Sequence, residues 1–209
     1  MTLLLAFALA AADPTLAPIE AMARTPVATQ LLVFARDCMS RHWDGSTTPD
    51  TLAVPPWPGA PTGCFVSLVD GRTTRACVGS ATPVRGSLRE TVRSLATEVL
   101  TADRRHPPVR REELLTLRIV IAFAGVCEAV ADPMQVDPGR EGLLIASPRG
   151  SIAFLPGEAR TVSWALSQAR QLGVLQSGSK DAGYERFEVT TIAEPTAPLP
   201  RKEAGDAAP

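Results

Sequence analysis

The sequence predicts an α+β domain with a mostly antiparallel sheet flanked by helices. Three features carry that expectation. Strand-forming runs flank an Asp70-Gly71 turn, an apolar stretch of period two runs from Leu115 to Phe123, and a capping box at Ser87 opens an amphipathic helix between them. Strands and helices mix without the regular βαβ rhythm of a parallel sheet.

Composition narrows the function classes first. Of 209 residues, 45% are hydrophobic and 21% charged, which is ordinary for one globular domain. The 21 basic and 22 acidic side chains leave a net charge of -1. Overall charge therefore supplies no field for holding nucleic acid or an anionic membrane, and neither is expected as a partner. The apolar run Met1 to Ala12 is too short to span a bilayer and lacks a preceding Lys or Arg. It reads either as a short secretory signal or as an apolar leader helix, so exported and cytoplasmic locations both stay open.

Thr25-Pro26 reads as an N-cap followed by proline in the first helical position, and Val27, Leu31, Phe34, Ala35 and Cys38 continue at helical spacing to about Trp43. Residues 44–62 are rich in Pro, Ser, Thr and Gly and read as a loop. The expected domain thus spans 24–193, after the 1–12 leader, and the Pro-, Ala- and charge-rich tail 194–209 reads as disordered.

The hairpin from Cys64 to Val78 is the strongest local signal. With Asp70 and Gly71 as the whole loop, Val66 faces Arg75, and Cys64 faces Cys77 at a non-hydrogen-bonded position where side chains approach closely. That register makes the two thiols neighbours, with Arg75 on their face. They would close a disulfide in an oxidising compartment and remain a dithiol in the cytosol. Further on, Ser87-Leu-Arg-Glu90 caps a helix with Leu88, Val92, Leu95 and Val99 on one stripe, ended by Pro107-Pro108. Gly142 to Ser147 and Ser151 to Leu155 form a second hairpin around Pro148-Arg149-Gly150. A helix from Thr161 to Leu172 stops at Gly173, and Tyr184 to Thr190 reads as a last strand.

The run Gly63-Cys-Phe-Val-Ser-Leu68 with Thr74-Arg-Ala-Cys-Val-Gly79 resembles the signature of the AMMECR domain family, roughly Leu-Arg-Gly-Cys-Ile-Gly, whose prokaryotic members are called AmmeMemoRadiSam system protein A. Asp103 to Pro108 is similar to the family's Asp-Pro-Arg-Phe-x-Pro, Glu112-Glu113-Leu114 to its Glu-Glu-Leu, Gly142 to Ile145 to its Gly-Leu-Ile strand, and Leu155-Pro156 to its Leu-Pro. The likeness covers about two thirds of the chain, in order. Thr74, Ala76, Arg104, His106 and Gly157-Glu158 depart from it, so the chain looks like a divergent member. The resemblance implies a main antiparallel sheet with flanking helices and a small lobe that includes the N-terminal helix. It also implies a Memo-like or radical SAM protein as a partner, without implying a settled activity.

Two functions follow. The first is an accessory module whose cleft beside Arg75, Ala76, Cys77, Val78 and Gly79, with Cys64 nearby, binds a small ligand or partner. The alternative is a thiol-dependent acyl-transfer or hydrolytic enzyme, with Cys77 as nucleophile, Arg75 stabilising its thiolate and His106 as base. Against this stands the ordinary fate of a free cysteine, which is to fill a core. No cofactor is expected, and the wide spacing of Cys38, Cys64, Cys77 and Cys127 offers no metal-ligand pattern. Asp103, Glu112, Glu113 and Glu158 read as surface and helix-end charges rather than a catalytic pair.

Overall fold

In the computed structural model, which describes residues 13–44, 53–176 and 181–195, a short helix α1 (Ala17–Ala23) precedes the helix expected after Thr25. The leader run 1–12 and the tail from residue 196 lie outside the described residues. Leu16, Ile19 and Met22 seat α1 in the core, so the packed domain begins before residue 24. Helix α2 (Pro26–Asp44) buries Leu31, Phe34, Ala35 and Cys38 at intervals of three or four, which presents one apolar face. Residues 53–62 carry no regular element but are pinned: Trp57 Nε1 donates to the Gly86 carbonyl at 3.1 Å, and its ring meets Phe123 edge-on.

Among the described residues, eight strands form two four-stranded antiparallel sheets. The first holds β1 (Gly63–Asp70), β2 (Thr73–Ser80), β3 (Arg118–Ala124) and β8 (Val189–Ala193) in the order β2-β1-β3-β8. The second holds β4 (Glu128–Ala129), β5 (Gly142–Ser147), β6 (Gly150–Phe154) and β7 (Gly183–Phe187) in the order β4-β7-β5-β6. The α+β class with antiparallel sheets is as the sequence predicts. The N-terminal helices, expected in a smaller lobe, instead share the larger core with α3 (Leu88–Glu98) on one face of the first sheet. The smaller core lies between the second sheet and α4 (Val162–Gln171), around Leu143, Ile145, Phe154 and Ala165.

Local chemistry fixes several element ends. Ser87 and Glu90 form the expected reciprocal capping box on α3, a device worth about 1 kcal/mol. Thr161 caps α4 through the Trp164 N–H, and Gly173, at φ 75°, ends it. Two expectations change. Leu115 does not start a strand: Glu113 accepts the Arg110 N–H and closes a 3₁₀ turn (Arg111–Leu115), leaving Leu115 exposed and β3 starting at Arg118. The expected strand from Tyr184 to Thr190 is two strands split at Glu188, where the chain passes from the second sheet to the first. There the Gly125 N–H donates to the Glu188 carbonyl, and the Asp13 N–H to its carboxylate.

The hairpin register differs as well, with larger consequences. The loop is Gly71-Arg72, with Gly71 at φ 56°, and Asp70 pairs with Thr73 and Val69 with Thr74. A bulge then leaves Arg75 without a partner, so that Leu68 faces Ala76, Ser67 faces Cys77 and Cys64 faces Ser80. Because side chains alternate along a strand, the odd slip sends Cys64 and Cys77 to opposite faces of the sheet. Cys64 joins the helix-covered core and Cys77 the opposite face. All four cysteines are free thiols, and the expected Cys64–Cys77 juxtaposition is not formed.

Gly79 closes this hairpin at φ 154°, where an added Cβ would lie 2.2 Å from the Cys64 carbonyl oxygen and 2.6 Å from Phe65 Cα. Both obstacles are backbone and neither can move aside cheaply. Gly79→Ala should therefore cost roughly 3 kcal/mol or more, measured as a lowered urea midpoint, whereas Gly71→Ala, which meets nothing within 4 Å, should cost less.

Candidate functional site

The two sheets meet at a third, smaller apolar cluster. Phe65, Cys77, Ala122 and Ala124 come from the first sheet, and Phe187 from the second, with Leu144, Ala153 and Leu155 packed against them. The Phe65 and Phe187 rings stack with centroids 6.2 Å apart. Cys77 thus occupies the seam between the sheets.

Beside the seam runs a network of charge. Asp103 follows α3, whose helix the chain leaves through Val99 and Leu100, and it is nearly enclosed. One of its oxygens, Oδ2, accepts the Cys77 N–H at 2.8 Å; the other, Oδ1, accepts the backbone N–H of Arg105 at 2.8 Å and its Nε at 3.1 Å. Arg105 then reaches into the second lobe, where Nη1 donates to Glu158 at 2.6 Å. Its other terminal nitrogen approaches the Cys77 carbonyl at 3.4 Å. Glu158 also accepts the Leu155 N–H at 3.0 Å, which fixes the turn after β6. Burial opposes ionisation of Asp103, but hydrogen bonds from Arg105 and Cys77 outweigh it and hold the carboxyl below its ordinary pKa. Burial likewise opposes the Arg105 cation, and Glu158 and Asp103 more than restore it.

A cleft of about 360 Å³ opens on one side of this network. Its walls are the end of β2 from Cys77 to Ser80 with the following Ala81-Thr82, the Ala102 to Arg105 segment, and Leu144, Ile152, Ala153 and Val174 of the second lobe. Gly79 and Cys77 therefore lie on the cleft. Ala76 does not: it is buried in the helix-covered core opposite Leu68, and so is Cys64. The position where the family signature has glycine thus points away from the cleft. Arg75 is absent from its walls too, because Glu113 holds it in a two-pronged pair at 2.8 and 3.2 Å and the Pro107 and Pro108 carbonyls each accept an N–H from its terminal nitrogens.

These positions revise the roles assigned to the thiol. The cation near Cys77 is Arg105 rather than Arg75. Burial and the Glu158 carboxylate push the Cys77 thiol up to about 12, more than Ser67 and Arg105 offset. The Ser67 hydroxyl lies across the strand pair beside the thiol. His106 gives its Nδ1 to Asp103 at 3.1 Å, faces a different groove and makes no hydrogen bond to the thiol. Arg105 is not among the sequence-predicted site residues, although it keeps the arginine of the Asp-Pro-Arg-Phe-x-Pro pattern between two altered neighbours. Asp103 and Glu158 prove to be partners through it, Glu113 serves Arg75, and Glu112 stays exposed. Among the described residues no group of three His, Cys, Asp or Glu side chains could hold a metal ion, and no helix is long and apolar enough to cross a membrane.

Two antiparallel sheets, helices on the outer faces and a cleft beside a buried Asp-Arg-Glu link define an α+β module of two lobes. The AMMECR1 family profile matches residues 32–193, and the chain belongs to that family. A protein of Methanocella arvoryzae is 32% identical over 132 residues, covering 60% of this chain and 67% of that one. Relatives from Aeropyrum pernix and Thermotoga maritima are 31% and 32% identical, and the matches span 49% and 48% of their lengths. The crystal structure of an uncharacterised protein from Pyrococcus horikoshii shares the fold, with a TM-score of 0.58 at 22% identity, covering 77% of this chain and 88% of that one.

Two outcomes are expected of this geometry. Iodoacetamide at neutral pH should modify half-buried Cys127 first, slowly because burial and Glu185 raise its thiol to about 11, and reach Cys77 only as the protein unfolds. Peptide mapping by mass spectrometry checks the order, and rapid native labelling of Cys77 would contradict it. The second concerns Glu113, whose pKa hydrogen bonds from Arg75 and Arg110 lower from 4.5 to about 2. A depressed carboxyl contributes stability above its unfolded pKa and loses it as pH falls through the folded one. Glu113→Gln should therefore cost about 1 kcal/mol at pH 7, and thermal unfolding curves of variant and parent should converge as pH drops from about 4.5 towards 2.

Proposed function

We propose that this protein is a small-ligand-binding accessory module whose site is the cleft between the lobes. The observation that carries the reading is the meeting there of an apolar wall (Leu144, Ile152, Ala153, Val174) with the charged Asp103–Arg105 segment and the Gly79-Ser80 end of strand β2. Such a surface orients a molecule that has one apolar and one polar side. A partner enzyme of the Memo-like or radical SAM kind fits this role as source or receiver of the ligand. The thiol-enzyme alternative has less support, since its nucleophile is buried with a raised pKa and its assigned cation and base both face elsewhere.

Saturation-transfer NMR against a panel of small metabolites, followed by amide-shift mapping, tests the reading. Hits should shift Gly79 to Thr82 and Ser151 to Ala153. Ala102→Trp, a replacement at an exposed residue on the cleft wall, should abolish those shifts while leaving the fold intact. Hits that bind this variant undiminished, or shift other regions alone, would remove the cleft from consideration.

A further inference from the structure

On the other side of the Arg105 link lies a second concavity, of about 820 Å³, which the reading above does not use. Its floor is the half of the first sheet that the second sheet leaves uncovered: Ser67 and Val69 of β1, Arg118 and Val120 of β3, and Val189 and Thr191 of β8. Alternation places these residues on one face, since Ser67 pairs with Val120 and Val69 with Arg118. Arginines gather around it although the whole chain carries a net charge of -1. Arg72 comes from the β1–β2 turn and Arg160 from just before the cap of α4; both are exposed, and neither has a carboxylate partner among the described residues. Arg118 stands at the floor near the Glu194 carbonyl, and Arg140 lies at the rim, loosely paired with Asp137 at 3.8 Å. Glu158 is the one acid on the lining among the described residues, and Arg105 already neutralises it.

One further feature points to a ligand. Trp164, in the first turn of α4, is 39% exposed on the same groove and rests edge-on against Phe154 at 5.7 Å, which holds the indole in place. Arginines alone would suit any anion. An exposed, braced indole beside them adds a demand for a flat ring.

We infer that this groove binds a nucleoside di- or triphosphate, with the phosphates between Arg72 and Arg160 and the base stacked on Trp164. Its volume suits a single nucleotide rather than a long strand. The weak overall charge also disfavours nucleic acid.

Calorimetry on the full chain at low salt, with ADP, pyrophosphate and adenosine as separate probes, tests the inference. ADP should bind at least about tenfold more tightly than either fragment, and its affinity should fall with added salt. Trp164→Leu should reduce ADP to the level of pyrophosphate, and Arg72→Glu with Arg160→Glu should reduce it to that of adenosine, with circular dichroism confirming the fold of each. Ala102→Trp, which fills the cleft on the other side of the link, should leave ADP binding unchanged, so failure of that cleft does not touch this site. The inference is overturned if ADP binds no better than pyrophosphate, if Ala102→Trp abolishes ADP binding, or if a single-stranded oligonucleotide binds far more tightly than ADP and independently of Trp164.

Discussion

The guanidinium of Arg105 ties one lobe to the other, and most of the geometry where the lobes meet depends on that tie. Its nitrogens hold Asp103, at the end of the helix that packs on the first sheet, and Glu158, in the turn that leaves the second. Three charges with side-chain exposures of 12%, 5% and 9% could not be enclosed without each other, because each isolated ion would carry a desolvation cost of several kcal/mol. The link is thus a condition of closing the seam, rather than a surplus of stability. Asp103 adds a further constraint by accepting the Cys77 N–H, which ties the same carboxylate to the edge strand β2. Strand, helix end and distant turn meet at one carboxylate and one cation.

That arrangement opposes ionisation of the Cys77 thiol, although the residue lies at a cleft. A reactive thiolate needs nearby positive charge that is not already balanced. Arg105 is the cation present, but Asp103 and Glu158 neutralise it, while burial and then Glu158 raise the thiol. What remains is a small, polarisable side chain in the Phe65–Phe187 seam.

How much was legible in the sequence follows from how local each determinant is. Helix ends were readable because Ser87, Glu90, Thr161 and Gly173 act within a few residues of themselves. The second hairpin and the capped helices fell where pattern placed them for the same reason. The cysteine pairing failed because one extra residue at Arg75 reverses the faces of everything beyond it, and what draws Arg75 aside is Glu113, distant in the chain. Glu188 shows the same limit: its neighbours on both sides are strand formers, and only the existence of two sheets tells which belongs to which. Asp103 and Glu158 looked like surface charges because an acid's partner is invisible when it lies in another lobe.

The same tie also decides how the two concavities relate. Both have Arg105 in their walls, yet they open on different sides of it, one against the apolar inner strands of the second lobe and the other against the open half of the first sheet. A ligand that drew Glu158 or Asp103 away from Arg105 in either one would expose an unbalanced buried charge to the other. Any such ligand would have to supply its own compensating group, so a neutral apolar molecule can fill the interlobe cleft without disturbing the link, while an anion in the second groove is best met by Arg72 and Arg160, which carry no such commitment. The division of polarity between the two sides is therefore a consequence of placing one fully engaged arginine between them.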